Sequence, residues 1–423
     1  MNEITHVPSP FCGMGTDDLT IHIDNLVVKV IENGCAINTP AFEQPLTDLK
    51  PRINGQTVSL DDAINSAAFL LKKSCQPIIG GSATDVNGMR ALLALAEKCH
   101  AVIDQVNFTH VRKNILTLQH AGWMNTTLAE VKNRCDVLLI VGTDLEAFAP
   151  RFFEKYLWHE AMFLENTCER DIIYLGTKPS GNASISPTGR AAQVFECVEE
   201  KLPDVVAVLR ALAKDRPIQA ESVAGISVAN LKTIVDKLKS AKYGVITWAA
   251  GALNDSFAEL TIQTLSEMIK ELNQITRCSG FPLGGKEGDL TSTQVCSWTT
   301  GYPARVSFAK GYPEYDPFLF ETNRMLESGE GDALLWVNAF NVLSKPPVTP
   351  LPTIVLARSG MTFEKEPDVF IPVGTPGIDH AGHAYRLDHV VAIRLKKLRD
   401  SGLPSTADVL NGIAQALREE SVC

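Results

Sequence analysis

The chain has 423 residues, 45% of them hydrophobic and 21% charged, with a formal net charge of −10. That length is too great for one compact core and implies two or three domains of a globular protein. The acidic balance argues against a nucleic-acid partner, which needs a basic surface, and no apolar run approaches the roughly 18 residues that would span a membrane. Residues 1–10 are polar and lack the pattern of a signal peptide. Ten scattered cysteines in a chain of this size fit a reducing cytoplasm better than a disulfide framework.

The elements read as follows in chain order. Leu19, Ile21 and Ile23 alternate with polar residues, Asp24-Asn25 forms a turn, and residues 26–31 return as the second strand of a hairpin. Ser59 and Asp62 mark a capping box for a helix with Ile64, Ala67, Ala68 and Leu71 on one face. A short strand over 77–79 ends at the break Gly80-Gly81. A helix then follows with Met89, Leu92, Leu93 and Ala96 on one side. Strands are predicted over 101–104, 137–141 and 171–175, the second a continuous apolar run of the kind that buried parallel strands show. Helices follow over 204–214 and 228–241, then a strand over 245–248 leading to a helix capped by Ser256 and Glu259. Strands over 333–337 and 353–357 and a helix over 407–418 complete the chain, with the proline-rich stretch 344–352 as a surface connection. The stretch 136–142 is echoed by 332–338, which suggests two related α/β halves, each an open doubly wound sheet.

Ser9, Cys12, Thr16 and Cys35 stand where a C-x2-C-x3-C…C set would hold an iron–sulfur cluster. Serine and threonine hydroxyls are hard donors that stay protonated near neutral pH, so two of the four positions cannot serve a soft site. Cys12 and Cys35 then read as buried, inert thiols. Asp379, His380, His383, Asp388 and His389 offer metal-ligating side chains, but the H-x2-H spacing is not the helical geometry of a zinc motif. The run from Gly280 to Glu287 nearly spells a phosphate-binding loop. Glu287 occupies the Ser/Thr position, and a helix rather than a strand is read before it, so no nucleotide site is expected. Cys296 and Ser297 lack a nucleophile elbow.

Several segments together resemble the B subunit of the formylmethanofuran dehydrogenase family. They are Phe11-Cys12-Gly13 with Asp17-Asp18; Glu130 to Val137; Gln294-Val295-Cys296-Ser297-Trp298 with Gly301-Tyr302-Pro303; and Gly382-His383-Ala384-Tyr385-Arg386. The resemblance runs over nearly the whole chain and is strongest to the degenerate bacterial form found in formyltransferase/hydrolase complexes of methylotrophs. It implies a molybdopterin-oxidoreductase-like α/β fold of two doubly wound, Rossmann-like lobes behind a small N-terminal β-rich segment. The expected boundaries are 1–55 for that segment, a remnant iron–sulfur domain, 56–240 for the first lobe and 241–423 for the second with a C-terminal extension, the lobes being open to discontinuity.

In the family this subunit carries a cluster and a tungsto- or molybdopterin. The metal-binding cysteine of the family aligns with Thr109, ahead of a retained His110, and an arginine near the metal aligns with Gly284. His110 is either a contact for a small anion in a polar cavity or a histidine satisfied inside the fold. With the site region Thr109, His110 and Gly284 altered, the resemblance implies no catalytic residue, cofactor or metal in this chain. It implies instead a non-redox structural or docking subunit of a cytoplasmic complex. That complex passes a formyl group from formyl-tetrahydromethanopterin to a methanofuran-type carrier and hydrolyses it to formate. The implied partners are an amidohydrolase-like A subunit carrying zinc, a β-helical C subunit and a formyltransferase D subunit. The rival reading is an active tungsto- or molybdopterin-dependent formylmethanofuran dehydrogenase subunit; another is a free-standing small-molecule-binding module.

Overall fold

A computed structural model describes residues 2–253 and 258–419. The chain forms two compact units, one made of Met1–Phe108 and Gly285–Cys423, the other of Thr109–Gly284. These boundaries fall elsewhere than the expected 55/56 and 240/241. The reason lies in strand pairing: the strand Pro77–Ala83 finds its neighbour in Ala333–Asn338, with Ile79 opposite Leu335, so the N- and C-terminal thirds must share a sheet.

In the first unit the large sheet runs Glu314–Tyr315, Val306–Ser307, Val102–Ile103, Pro77–Ala83, Ala333–Asn338, Thr353–Arg358, Val369–Val373, Arg52–Ile53, Gln56–Thr57. Its five central strands are parallel, and the pairings outside them are antiparallel. The inner strands are buried along their whole length, as their near-continuous apolar sequences require. Helices Leu60–Lys73, Val86–Lys98 and Thr406–Glu419 press Ala67, Leu71, Leu92, Leu95, Leu410 and Ile413 onto this sheet. The predicted cap is present: the Ser59 hydroxyl accepts from the Asp62 amide at 3.1 Å and donates to the Asp62 carboxylate at 2.6 Å.

Before the sheet comes a three-stranded antiparallel sheet of Asn2–Val7, Leu19–Asp24 and Val27–Glu32. The predicted hairpin is its second and third strands, with Asn25 at φ 53 in the turn. The strand Asn2–Val7, too polar to read as one from sequence, gains its place from pairing with Leu19–Asp24. Residues 52–55, placed by expectation in this β-rich segment, instead edge the large sheet together with 56–57.

The second unit holds a five-stranded parallel sheet ordered Gln193–Glu196, Asp171–Gly176, Val137–Val141, Gly244–Ala249, Cys278–Leu283. Leu202–Ala213, Val228–Ser240 and Ala258–Leu272 bury their apolar faces in its core. The two echoed stretches are therefore inner parallel strands of two separate sheets. Glu259 lies in the first turn of Ala258–Leu272, while Ser256, predicted to cap it, lies outside the described residues. Among the described residues no helix is long and apolar enough to cross a membrane.

Two readings are corrected. Gly280 is preceded and followed by strand, not helix: Cys278–Leu283 pairs in register with Gly244–Ala249, an environment that local propensity does not reveal. The pair Gly80-Gly81 does not end its strand but passes through it. Gly80 lies under the Trp336 ring, and Gly81 sits at φ +75, where a Cβ would stand 2.6 Å from the Val337 carbonyl oxygen. The pairing register shifts between Trp336 and Asn338, so the glycines form an irregularity inside the strand. Gly81→Ala is accordingly expected to cost about 2–4 kcal/mol, from positive φ and backbone overlap together. Chemical denaturation of the full chain checks this, and a loss below about 0.5 kcal/mol, the level of an ordinary surface change, would contradict the tight approach.

Candidate functional site

The four positions of the cluster frame do come together in the first unit. Residues 8–18 form a loop closed by the Ser9 amide donating to the Thr16 carbonyl at 2.8 Å. A second contact, Met14 amide to Cys12 carbonyl at 2.7 Å, folds the chain about Gly13 at φ 68. Gly15 sits at φ +56, which disfavours other residues, and a Cβ there would force the tip of the Ile393 side chain to shift. Across from the loop, the short helix Asn38–Glu43 follows Cys35.

Asn38 is the group that the frame surrounds. Its Oδ1 accepts from the Ser9 hydroxyl at 2.6 Å, its Nδ2 donates to Thr16 Oγ1 at 3.2 Å, and its backbone amide donates to Cys35 Sγ at 3.4 Å. Cys12 Sγ lies 3.6 Å from Thr16 Oγ1. Ser9, Cys12, Thr16 and Asn38 are all buried, and Cys35 is partly so. These residues do not fit an iron–sulfur cluster. Two hydroxyls replace two thiolates, and both hydroxyls are engaged by the amide of Asn38. Sequence reasoning missed Asn38, and nothing in its local sequence marks it.

The aligned redox position lies in the second unit. Thr109 and His110 are exposed in the first turn of the helix Phe108–Ala121. The His110 ring packs against Gly251, where a Cβ would stand 3.4 Å from its Cγ. Burial on that side, and then the Lys113 ammonium, hold the imidazole below the ordinary histidine pKa. Lys113 itself donates to the Ala250 carbonyl at 3.3 Å. Among the described residues nothing, His110 included, comes within 4 Å of where a Cβ of Gly284 would be. Thr109 offers a hydroxyl where a soft thiolate would be needed, so this donor set does not fit a pterin-bound metal either.

The five residues between 379 and 389 are not assembled into one ligand set. Asp379 pairs with Arg399 at 2.8 Å, Asp388 pairs with Arg386 at 2.5 Å, and His389 Nδ1 meets Gln294 Nε2 at 2.9 Å. His380 is engaged by its own neighbours through Gly374 and Ala381 carbonyls, and His383 is exposed on the strand Gly382–Tyr385. Among the described residues no three His, Cys, Asp or Glu side chains are grouped to hold a metal ion. Cys296 is buried, and burial pushes its thiol up to about 12. The Gly-rich run is closed by packing: Gly285 lies against the Leu387 backbone and Gly288 against Phe340 and the Thr84 carbonyl. Three of the resembling segments adjoin in the first unit. The Leu387 amide donates to Gly13 O at 2.8 Å, Tyr385 N donates to Thr291 Oγ1 at 2.9 Å, and the Trp298 and Tyr385 rings meet at 5.7 Å.

Beside them stand three charged groups, Asp289 buried and Lys286 and Glu287 half-buried. Burial pushes the Asp289 carboxyl up to about 7, although Asn107 Nδ2 donates to it at 3.2 Å. Burial likewise raises Glu287, which accepts from Asn341 at 2.9 Å, and lowers Lys286.

Fold and site together define a mixed α/β protein in which Ser9, Thr16 and Cys35 converge on Asn38 through hydrogen bonds. No family model matches the chain. It is 26% identical over 437 aligned residues to the B subunit of the tungsten-containing formylmethanofuran dehydrogenase 2 of Methanococcus maripaludis, covering 99% of this chain and 100% of that relative. It is 27% identical over 381 residues to the B subunit of the formyltransferase/hydrolase complex Fhc of Methylorubrum extorquens, covering 88% of this chain and 97% of the relative. Among solved structures it resembles the formyltransferase/hydrolase complex (FhcABCD) of Methylorubrum extorquens with methylofuran, at a TM-score of 0.75 and 28% identity over 88% of this chain and 100% of the matched one. Acetylene hydratase of Pelobacter acetylenicus shares the fold alone, at a TM-score of 0.63 and 8% identity over 99% of this chain and 70% of the other.

The Asp289 carboxyl has a folded-state pKa above its unfolded value. Its contribution to stability is therefore fully present below about pH 4, and is lost as the pH rises toward and through about 7. Asp289→Asn is expected to gain stability relative to wild type across that window, by up to roughly 1.4 kcal/mol per pH unit, and to hold the gain above it. Thermal melts of both proteins from pH 4 to 8 check this. A difference that stays constant with pH would show that Asp289 ionises freely in the folded chain.

Proposed function

We propose that this chain is the B-type subunit of a multi-subunit formyltransferase/hydrolase complex of one-carbon metabolism, and that it acts there as a structural and docking subunit without redox chemistry. In this reading the complex is cytoplasmic, and the two lobes of this chain are Rossmann-like and molybdopterin-oxidoreductase-like. The complex takes the formyl group of formyl-tetrahydromethanopterin onto a methanofuran-type carrier and releases formate. An amidohydrolase-like A subunit with zinc, a β-helical C subunit and a formyltransferase D subunit do that chemistry.

The observation that carries the reading is the donor set. Ser9 and Thr16 are bound to the Asn38 amide, and residue 109, where the resemblance expects the soft metal ligand, is a threonine. Likeness over nearly full length to the Methylorubrum extorquens protein supports the assignment to a complex. The second reading, a working tungsto- or molybdopterin-dependent dehydrogenase subunit, draws on the equal likeness to the tungsten-containing relative of Methanococcus maripaludis.

Metal analysis of the complex, purified anaerobically through this chain, separates the two. The structural reading expects copurifying subunits and no iron, tungsten or molybdenum assigned to this chain. Near-stoichiometric iron with a broad absorption near ~400 nm, the mark of thiolate-held iron, would establish the dehydrogenase reading instead. His110 gives a further check. In the structural reading His110→Ala lowers formate production by the assembled complex at most ~10-fold, below the ~10²–10⁴-fold of a working acid–base group. A loss of roughly three orders of magnitude in a complex of unchanged size would place chemistry in this chain.

A further inference from the structure

Each of the four frame positions contributes one polar side chain, and three of them touch Asn38. We propose that Asn38 is a polar core standing in place of an inorganic one. Its amide ties the loop 8–18 to the chain around Cys35, so that this segment closes without metal, and it is the group that keeps a transition-metal ion out of the frame. The inference concerns this chain's own residues and holds whichever complex the chain joins.

The argument is one of donors, acceptors and space. A carboxamide offers an acceptor oxygen and a donor nitrogen on one rigid plane. Here Oδ1 takes the Ser9 proton at 2.6 Å and Nδ2 donates to Thr16 Oγ1 at 3.2 Å. An apolar side chain at this fully buried position would take away the acceptor of the Ser9 hydroxyl and the donor to Thr16, leaving Ser9 Oγ with the Phe11 amide at 3.2 Å and Thr16 Oγ1 with Cys12 Sγ at 3.6 Å, and a carboxylate would bring an uncompensated charge. The loop itself is held by backbone bonds, Ser9 N to Thr16 O and Met14 N to Cys12 O, which do not involve Asn38. The backbone course of the loop that carries Ser9, Cys12 and Thr16 therefore does not rest on the amide alone. Thiols restored at Ser9 and Thr16 would join Cys12 and Cys35 as a four-sulfur set of the kind that binds a tetrahedral ion. The obstacle left would be the Asn38 amide.

The experiment compares three full-length proteins titrated anaerobically with Co²⁺: wild type, Ser9→Cys/Thr16→Cys, and the same pair with Asn38→Ala. Binding is read from the thiolate-to-cobalt band and the visible bands of a tetrahedral site, with Cys12→Ser added to the triple variant as the control for other cysteines. The triple variant is expected to take up one equivalent, at least about tenfold more tightly than the double variant, and to lose it with Cys12→Ser. Equal affinity of the double and triple variants would overturn the proposal, as would a folded triple variant that binds nothing. Should either multiple variant fail to fold, Asn38→Ala alone decides. Removing the amide is expected to speed alkylation of Cys12, followed site by site by mass spectrometry, at least about tenfold, the scale of one buried hydrogen bond. Alkylation of Cys135 in the second unit should not change. Unchanged protection of Cys12 would show that Asn38 does not hold the loop shut.

Discussion

The seam between Pro77–Ala83 and Ala333–Asn338 is the constraint on which the first unit depends. It joins stretches some 250 residues apart, and every other strand of the large sheet takes its place from that pair. Its consequence for the site runs through Arg358, at the end of the strand Thr353–Arg358. The buried guanidinium donates to the Phe340 carbonyl at 3.0 Å and to the Ala41 carbonyl at 2.6 Å, and lies 5.4 Å from the centre of the Phe11 ring. It thereby fastens the helix carrying Asn38 and the loop carrying Cys12 to the sheet. Burial brings its pKa down to about 10, with the Asp379 and Glu287 carboxylates opposing the fall, so it stays charged at neutral pH.

Around that anchor the N-terminal segment is held by ordinary core physics. Phe11 meets Phe42 edge-on at 5.2 Å and Phe340 at 6.1 Å, and Val7, Leu19, Ile21 and Val28 complete the cluster. A structural metal contributes on the order of 10 kcal/mol to a small domain, whereas each neutral buried hydrogen bond contributes about 1 kcal/mol net. The Asn38 bonds cannot replace a metal centre in magnitude. They can specify one arrangement of the loop, while the aromatic cluster and Arg358 supply the bulk of its attachment.

The first unit also buries two complete ion pairs, Asp104 with Arg305 at 3.0 Å and Asp379 with Arg399 at 2.8 Å. The first links segments remote in sequence, the second spans a single local stretch, and losing one partner of either would strand a charge in a dry interior. Asp289 is different in kind. Its main side-chain contact is the neutral Asn107 amide, so burial raises its pKa as it would that of any unpaired carboxyl.

Local signals read the helices and inner strands well. The Ser59 cap, the spacing of Ala67, Ala68 and Leu71, and the apolar run 137–141 each carry their own structure, because capping and hydrophobic period act over a few residues. That Ser9, Thr16 and Thr109 offer hydroxyls and not thiolates is read from the sequence directly, since ligand softness belongs to the side chain and not to the fold. Tertiary structure alone decided the rest. The division into a discontinuous and a continuous unit follows from which strands pair, and pairing is set by partners hundreds of residues away. The strand Cys278–Leu283 and the glycine irregularity at Gly80-Gly81 exist only against Gly244–Ala249 and Trp336. Asn38 gave no sign of itself, for an asparagine becomes the centre of a frame only when folding places Ser9, Thr16 and Cys35 within reach of its one amide and its own backbone.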